Sequence, residues 1–212
     1  MSRASAPDLP AHPASFVGRE RGLAAVRPAP PVAVPVGAGD AHRIATSPAL
    51  GREQELSYLR AALDAATAAT RRIVFVAGEA GAGKTTLLRA FRGHLDAGAG
   101  VRVAQGQCIE HRGTGEAYLP VLDALGRLCR GPDGGAVVPL LARQAPSWLV
   151  HLPALVGEAQ LADLHRRTVG ATGERMLREM GEAVETLTLD RPLLLILEDL
   201  HWSDHATLDL LE

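Results

Sequence analysis

Along this chain, apolar residues recur at helical spacing in some stretches and stand in short unbroken runs in others. Leu56, Leu59 and Leu63 fall at positions i, i+3 and i+7, which predicts an amphipathic helix that ends near residue 70. Residues 72–77 form a short apolar run rich in β-branched side chains, which is typical of a buried strand. The first folded elements are therefore expected to be a helix and then a strand.

The same alternation continues along the rest of the chain. We expect helices over 85–95, 116–129, 174–187 and 204–212, and strands over 101–108 and 193–197. Thr172 is the predicted N-cap of the helix over 174–187. Residues 131–170 hold several prolines among mixed apolar clusters, so short helices are expected there. Strands that alternate with helices favour an α/β fold in which helices cover both faces of a parallel sheet, giving three layers.

Residues 1–48 have a different composition from the remainder. They are rich in proline, alanine and glycine, and prolines at this density disfavour helices and remove donors from β-ladders. We therefore predict a flexible segment over 1–48 and a folded domain over 49–212. A short Gly-Arg-Glu sequence at 18–20 is repeated at 51–53, and the sequence offers no physical account of the first copy.

The length, net charge and cysteine content of the chain exclude several classes of function. A length of 212 residues suits one domain, and a net charge of -2 gives no general attraction to nucleic acid or to an anionic membrane. No stretch approaches the roughly 20 apolar residues of a membrane span. The start of the chain lacks the apolar core of a secretory signal, so we expect a cytoplasmic protein. Cys108 and Cys129 lack zinc spacing and are expected to be buried or half-buried thiols.

The clearest chemical motif lies between the strand over 72–77 and the helix over 85–95. Residues 78–85 fit the pattern G-x-x-x-x-G-K-[ST] of a phosphate-binding loop. Glycines let the backbone N–H groups approach phosphate oxygens, and the following helix adds its N-terminal donors. We call these residues the phosphate loop and expect them, with Thr86, to bind the cofactor: Gly78, Glu79, Ala80, Gly81, Ala82, Gly83, Lys84 and Thr85.

Two members of the phosphate loop have specific expected roles. Lys84 is the only lysine among the 22 basic residues, and an ammonium on a flexible stem suits reaching over the β- and γ-phosphates. The hydroxyl of Thr85 is expected to ligate Mg²⁺. The alternative is a glycine-rich turn that fits the pattern by chance.

A second motif is the pair Glu198 and Asp199, which follows the apolar run over 193–197. We call these two residues the acid pair. Acids at the end of a buried strand lie at the carboxyl edge of the sheet, where one can hold Mg²⁺ through its water shell and the other can orient or deprotonate the attacking water. By position, Glu198 is the metal-side acid and Asp199 is the base-side acid. The usual order places aspartate first, so the two roles are open to exchange, and hydrolysis by the shorter Asp199 is expected to be slow.

Other polar residues leave alternatives open. His201 and Trp202 either sense the γ-phosphate or pack, and Arg52 with Glu53 either border the base or form a surface ion pair. The remaining histidines lack metal spacing.

With these motifs in place, the sequence resembles the ATPase domain of the STAND class within the AAA-like P-loop NTPases, as found in large LuxR-type bacterial regulators and in ATPase–cyclase or ATPase–kinase fusions. Beside the phosphate loop and Thr86, three segments carry the resemblance: residues 50–56, 116–122 and 197–204. The resemblance implies that Gly51 and Arg52 lie near the adenine. It also implies a nucleotide-dependent switch that binds ATP and ADP with Mg²⁺ and acts in signal transduction and transcription regulation.

The resemblance further implies contacts with other protein domains or self-association. Relatives continue with more strands beyond the acidic one, so we expect an N-terminal fragment whose sheet is incomplete at its C-terminal side. A plain ATP-hydrolysing or phosphotransfer enzyme, and a non-catalytic fragment that acts by protein interaction, are the alternatives.

Overall fold

The computed structural model describes residues 32–35 by their backbone, and residues 51–67, 71–95, 100–109 and 116–212 in full. The first Gly-Arg-Glu copy, at 18–20, lies outside these ranges. The described strands are β1 (Val32–Pro35), β2 (Val74–Ala77), β3 (Arg102–Gln107) and β4 (Leu193–Glu198). The described α-helices are α1 (Glu53–Thr67), α2 (Lys84–Leu95), α3 (Leu119–Arg130), α4 (Gly134–Gln144), α5 (Pro146–Leu149), α6 (Glu158–Thr168), α7 (Gly173–Leu187) and α8 (His205–Leu211).

The predicted helices and strands are confirmed, with ends shifted by a few residues. The expected burial of the strand over 72–77 is wrong, since Phe75 of β2 is 41% exposed. The expected short helices over 131–170 are α4, α5 and α6, with a turn of 3₁₀-helix at Pro153–Leu155. Thr172 is the N-cap of α7, and its Oγ1 accepts a hydrogen bond from the N–H of Arg175 at 3.3 Å. Local capping therefore fixes the start of α7.

All strand pairing among the described residues is parallel, as expected of an α/β fold. The four strands form two separate pairs, β1 with β2 and β3 with β4. Val32–Pro35 lies within the segment for which we expected no regular structure, yet it pairs residue by residue with Val74–Ala77. Backbone pairing with β2 orders these four residues, because a parallel ladder needs a neighbouring strand and not a local sequence signal.

The larger apolar cluster lies among the helices of the second half of the chain. Trp148 is fully buried there, its ring centroid lies 4.8 Å from that of Tyr118, and its Nε1 donates to the carbonyl of Met176 at 2.8 Å. Leu193 and Leu197 of β4 pack against this cluster. The helical half and the acidic strand therefore share one core.

A smaller apolar cluster lies beneath the phosphate loop. Leu56 and Leu59 of α1 pack with Leu87 and Phe91 of α2, and Ala82 of the loop belongs to the same cluster. Leu194 of β4 also packs against it. Alternate residues of β4 therefore contact two different clusters, as the two faces of a strand do.

The starts of β3 and β4 are fixed by an ion pair. Arg102 is only 6% exposed, and its Nη1 and Nη2 donate to the two carboxylate oxygens of Asp190 at 2.7 and 3.0 Å. These hydrogen bonds lower the pKa of Asp190 to about 2. Because the pKa is lowered, the stabilisation from this pair is present above the ordinary pKa of aspartate and is lost as the pH falls toward about 2.

Both cysteines are buried and unpaired, as predicted. Burial raises the pKa of the Cys108 thiol and raises that of Cys129 to about 11, so neither thiol ionises readily. Within the described ranges, no helix combines the length and the apolar character that crossing a membrane requires.

The close packing of β3 on α3 leads to a prediction about Gly106. A Cβ placed on Gly106 would lie 1.8 Å from the carbonyl oxygen of Pro120. Because a backbone carbonyl cannot move aside as a flexible side chain can, we expect Gly106→Ala to lower the free energy of unfolding by about 1–3 kcal/mol, measured by chemical denaturation.

Gly181→Ala is the matched control for this variant. Gly181 lies exposed within α7 with nothing within 4 Å of its added Cβ, so alanine is expected to preserve or raise the stability. Equal stability of Gly106→Ala and the wild type would contradict the packing argument.

Candidate nucleotide-binding site

The phosphate loop joins the end of β2 directly to the start of α2. Gly81 and Gly83 have φ values of 81° and 84°, which side chains of L-residues rarely adopt. The N–H of Ala82 donates to the carbonyl of Glu79 at 3.2 Å, and the N–H of Leu87 donates to that of Gly83 at 2.9 Å. The loop therefore turns tightly at Glu79–Ala82 and passes into the helix at Gly83.

Lys84, the first residue of α2, is turned back over this loop. Its Nζ donates to the carbonyl oxygens of Gly78 and Glu79 at 2.8 and 2.9 Å. An ammonium has three donors, so these two contacts leave a third for an anion. The predicted phosphate-binding lysine thus lies against the loop that is predicted to hold the phosphates.

Thr85 and Glu198 are brought into contact from distant parts of the chain. The Oγ1 of Thr85 donates to Oε2 of Glu198 at 2.8 Å. Thr85 follows Lys84 in the first turn of α2, and Glu198 is the last residue of β4. The hydroxyl expected to ligate Mg²⁺ and the expected metal-side acid are therefore neighbours. Thr86, next in α2, is exposed.

Two glutamines of β3 contact the acid pair, and sequence reasoning missed both. The Nε2 of Gln105 donates to Oε1 of Glu198 at 2.5 Å, and the Nε2 of Gln107 donates to Oδ2 of Asp199 at 2.9 Å. Residues two apart on a strand lie on one face, which puts both amides on the same side of β3. The sequence signal that could have found them is the spacing of Gln105 and Gln107, two polar residues on one face of a predicted strand.

Asp199 has an unusual backbone conformation. Its φ of 57° and ψ of 41° lie in the left-handed region, which aspartate tolerates better than most residues. The chain then enters a turn of 3₁₀-helix, Leu200–Trp202, in which the rings of His201 and Trp202 lie 5.0 Å apart. Both side chains are exposed, so neither packs into a core.

Asp204 ties this turn to the helical half of the molecule. Its carboxylate caps α8 by accepting from the N–H and Oγ1 of Thr207 at 2.9 and 2.6 Å, and it accepts from the N–H of Tyr118 at 3.2 Å. Burial opposes ionisation of Asp204, but these hydrogen bonds outweigh it and lower its pKa. Asp204, which follows the acid pair by five residues, is therefore anchored to the start of α3.

Arg52 contacts the phosphate loop from the side of α1. Its Nη2 donates to the carbonyl of Ala82 at 2.6 Å, and its Nη1 donates to Glu55 at 3.1 Å. Gly51, beside it, has a φ of 85°. The contact between Arg52 and Glu55 is an ion pair. Arg52 therefore braces the loop backbone, while the expected place of Gly51 and Arg52 near the adenine stays a prediction.

The chemistry of these residues suits Mg²⁺ and a triphosphate. Mg²⁺ prefers oxygen ligands, keeps several waters and uses only one or two carboxylates together with substrate phosphates. A hydroxyl and a carboxylate oxygen 2.8 Å apart provide such donors beside the loop amides. No group of three or more His, Cys, Asp or Glu side chains able to hold a metal occurs in the part of the chain that the structure describes. A cation shared with phosphates does not need such a group.

Comparison with known proteins gives a family match. Residues 48–212 match the family model of the AAA ATPase domain. No curated protein and no solved structure matches the chain significantly. The family match covers the phosphate loop, the acid pair and Arg52.

The contact between Arg52 and Ala82 leads to a prediction about loop order. Arg52→Met removes a charged donor from a partly buried carbonyl, and such hydrogen bonds contribute about 1.5–3 kcal/mol. We therefore expect the amides of Ala82 and Leu87 to exchange their hydrogens at least about tenfold faster, measured by NMR.

Arg60→Met provides the comparison, since Arg60 is an exposed arginine on α1. It should leave the exchange rates of both amides unchanged. Identical exchange in Arg52→Met and the wild type would mean that Arg52 does not order the loop.

Proposed function

The chain belongs to the AAA ATPase domain family, and from this premise we propose that it binds Mg-ATP through the phosphate loop as a nucleotide-dependent regulatory switch. The observation that carries the proposal is the hydrogen bond of 2.8 Å between Thr85 and Glu198. It joins the end of the phosphate loop to the end of the acidic strand, two sites that the sequence separates by more than a hundred residues.

In the proposed complex, the residues of the loop act on the phosphate chain. Backbone N–H groups at the start of α2 face the anion together with the positive end of the helix dipole. The ammonium of Lys84, which lies at the loop carbonyls of Gly78 and Glu79, moves to phosphate oxygens. Such an exchange of partners stabilises the bound state because each new contact is charged at both ends.

When bound, Mg²⁺ neutralises charge on the phosphates. Thr85 and Glu198 are the residues proposed to hold it, with Thr85 as a direct ligand and Glu198 acting through water. Gly51 and Arg52 are proposed to border the base while Arg52 keeps the loop in shape through Ala82. The place near the base follows from the resemblance, and the contact of Arg52 with Ala82 is observed.

Asp199 is the proposed base-side acid, and its surroundings support slow hydrolysis. One of its oxygens already accepts a hydrogen bond from Gln107 at 2.9 Å, so that oxygen is less available to an attacking water. The side chain of aspartate is also shorter than that of glutamate, so its reach toward a water is smaller. Slow turnover suits a switch, whose nucleotide state must persist.

The finer assignment follows the resemblance. We propose a STAND-type switch of the kind found in large LuxR-type regulators, with residues 49–212 as the three-layer ATPase unit, whose strand β2 is paired by Val32–Pro35 of the preceding segment. Its partners would be ATP and ADP, other protein domains or a second copy of itself, and its place of action the cytoplasm.

Titration calorimetry with Mg-ATP tests the binding proposal. We expect the wild-type chain to bind and Lys84→Ala to lose at least about tenfold in affinity, because each charged hydrogen bond contributes about 1.5–3 kcal/mol. Arg178→Ala, which removes one exposed cation from α7, is the control and should bind like the wild type.

The two alternatives predict different results from the same protein. A plain ATP-hydrolysing enzyme would turn over steadily at about 1–100 s⁻¹, whereas the switch is expected to be far slower. A folded wild-type chain that binds no Mg-ATP would contradict the proposal and favour a fragment that acts only by protein interaction.

A further inference from the structure

We propose that Gln105 is a positioning residue that fixes the carboxylate of Glu198 for the cation, and that Arg92 sets the orientation of the Gln105 amide. The inference rests on the proposed function, since it takes Glu198 to be the metal-side acid. It adds two residues that no sequence motif contains.

Three hydrogen bonds connect α2, β3 and β4 in series. Arg92 Nη1 donates to Oε1 of Gln105 at 2.5 Å, and Gln105 Nε2 donates to Oε1 of Glu198 at 2.5 Å. Thr85 Oγ1 donates to the other carboxylate oxygen, Oε2, at 2.8 Å. The chain of contacts therefore begins and ends on α2, at Arg92 and at Thr85.

Arg92 determines which way the amide of Gln105 points. A guanidinium has donors and no acceptor, so only the carbonyl oxygen of the amide can face it. The NH₂ group must then face the opposite way, toward Glu198, which as a carboxylate only accepts. Loss of Arg92 would remove one of the two contacts that fix this orientation, so the amide would be held less firmly against Glu198.

The two oxygens of Glu198 are thus held separately. Gln105 holds Oε1 from β3, which leaves Oε2 on the side of Thr85, where the cation is expected. Residues just behind the groups that hold a metal usually fix those groups in this way, and their loss typically costs 10–100-fold in metal affinity.

The position of Gln105 supports a role in orienting Glu198 and not a role in packing. In the register of β3 and β4, Gln105 pairs with Ile196, so its side chain reaches along the neighbouring strand to Glu198. Gln105 is partly exposed, and Arg92 is exposed on α2. Since solvent reaches both side chains, neither serves to fill an apolar core.

The test measures how ATP binding depends on Mg²⁺. Calorimetric titrations of ATP into the full chain are repeated over a series of MgCl₂ concentrations and once in EDTA. Gln105→Met keeps the length of the side chain and removes both hydrogen bonds. We expect its Mg²⁺ concentration for half-maximal enhancement of ATP affinity to rise about tenfold, with affinity in EDTA within about twofold of the wild type.

Arg92→Met tests the series of hydrogen bonds independently. It also covers the case in which Gln105→Met fails to fold. We expect a rise in the same direction, of severalfold, because the amide remains but loses its fixed orientation. The double variant should be no worse than Gln105→Met alone, since both changes act through one contact. Arg89→Met, which removes another exposed cation from α2, should retain the wild-type Mg²⁺ dependence.

The outcomes distinguish this inference from the proposed function. If the wild type binds ATP and a folded Gln105→Met or Arg92→Met has the wild-type Mg²⁺ dependence, the positioning role is wrong while nucleotide binding stands. If affinity falls equally in EDTA and in Mg²⁺, Gln105 acts on the loop or on stability and the positioning role is also wrong. If the wild type binds no ATP, the proposed function fails, and this inference fails with it.

Discussion

The hydrogen bond between Thr85 and Glu198 joins two parts of the molecule that have separate cores. The phosphate loop rests on the cluster formed by α1 and α2, while β4 also packs against the larger cluster of the helical half. β2 and β4 are not hydrogen-bonded to each other among the described strands. The relative position of loop and acid therefore depends on the two-sided packing of β4 and on side chains that bridge the gap. Thr85, Gln105 and Arg92 are those bridges.

Much of this arrangement could be predicted because it depends on local sequence. The phosphate loop is continuous, its two left-handed positions are glycines, and the strand before it and the helix after it have clear apolar periods. The acid pair likewise follows directly from an apolar strand, and carboxyl ends of parallel strands meet at one edge of the sheet. Caps at Thr172 and at Asp204 are set by residues within three positions of the helix start. Each of these features needs only a few neighbouring residues.

The remaining features depend on residues that are distant in sequence. Gln105 and Gln107 look like ordinary strand residues until the register of β3 with β4 places them beside Glu198 and Asp199. Arg52 reaches Ala82 only after α1 has packed on α2. The pairing of Val32–Pro35 with β2 is a backbone ladder, and a proline-rich composition gave no sign of it. Tertiary contacts of this kind have no local signature in a single sequence.

The most direct test of the account is a crystal structure of the chain with Mg²⁺ and a non-hydrolysable ATP analogue. The account predicts that Lys84 Nζ leaves the carbonyls of Gly78 and Glu79 for phosphate oxygens, and that the cation lies about 2.0–2.1 Å from Thr85 Oγ1 with Glu198 beside it. Gln105 should still donate to Glu198. An analogue bound away from the phosphate loop, with Lys84 still on the loop carbonyls, would contradict the account.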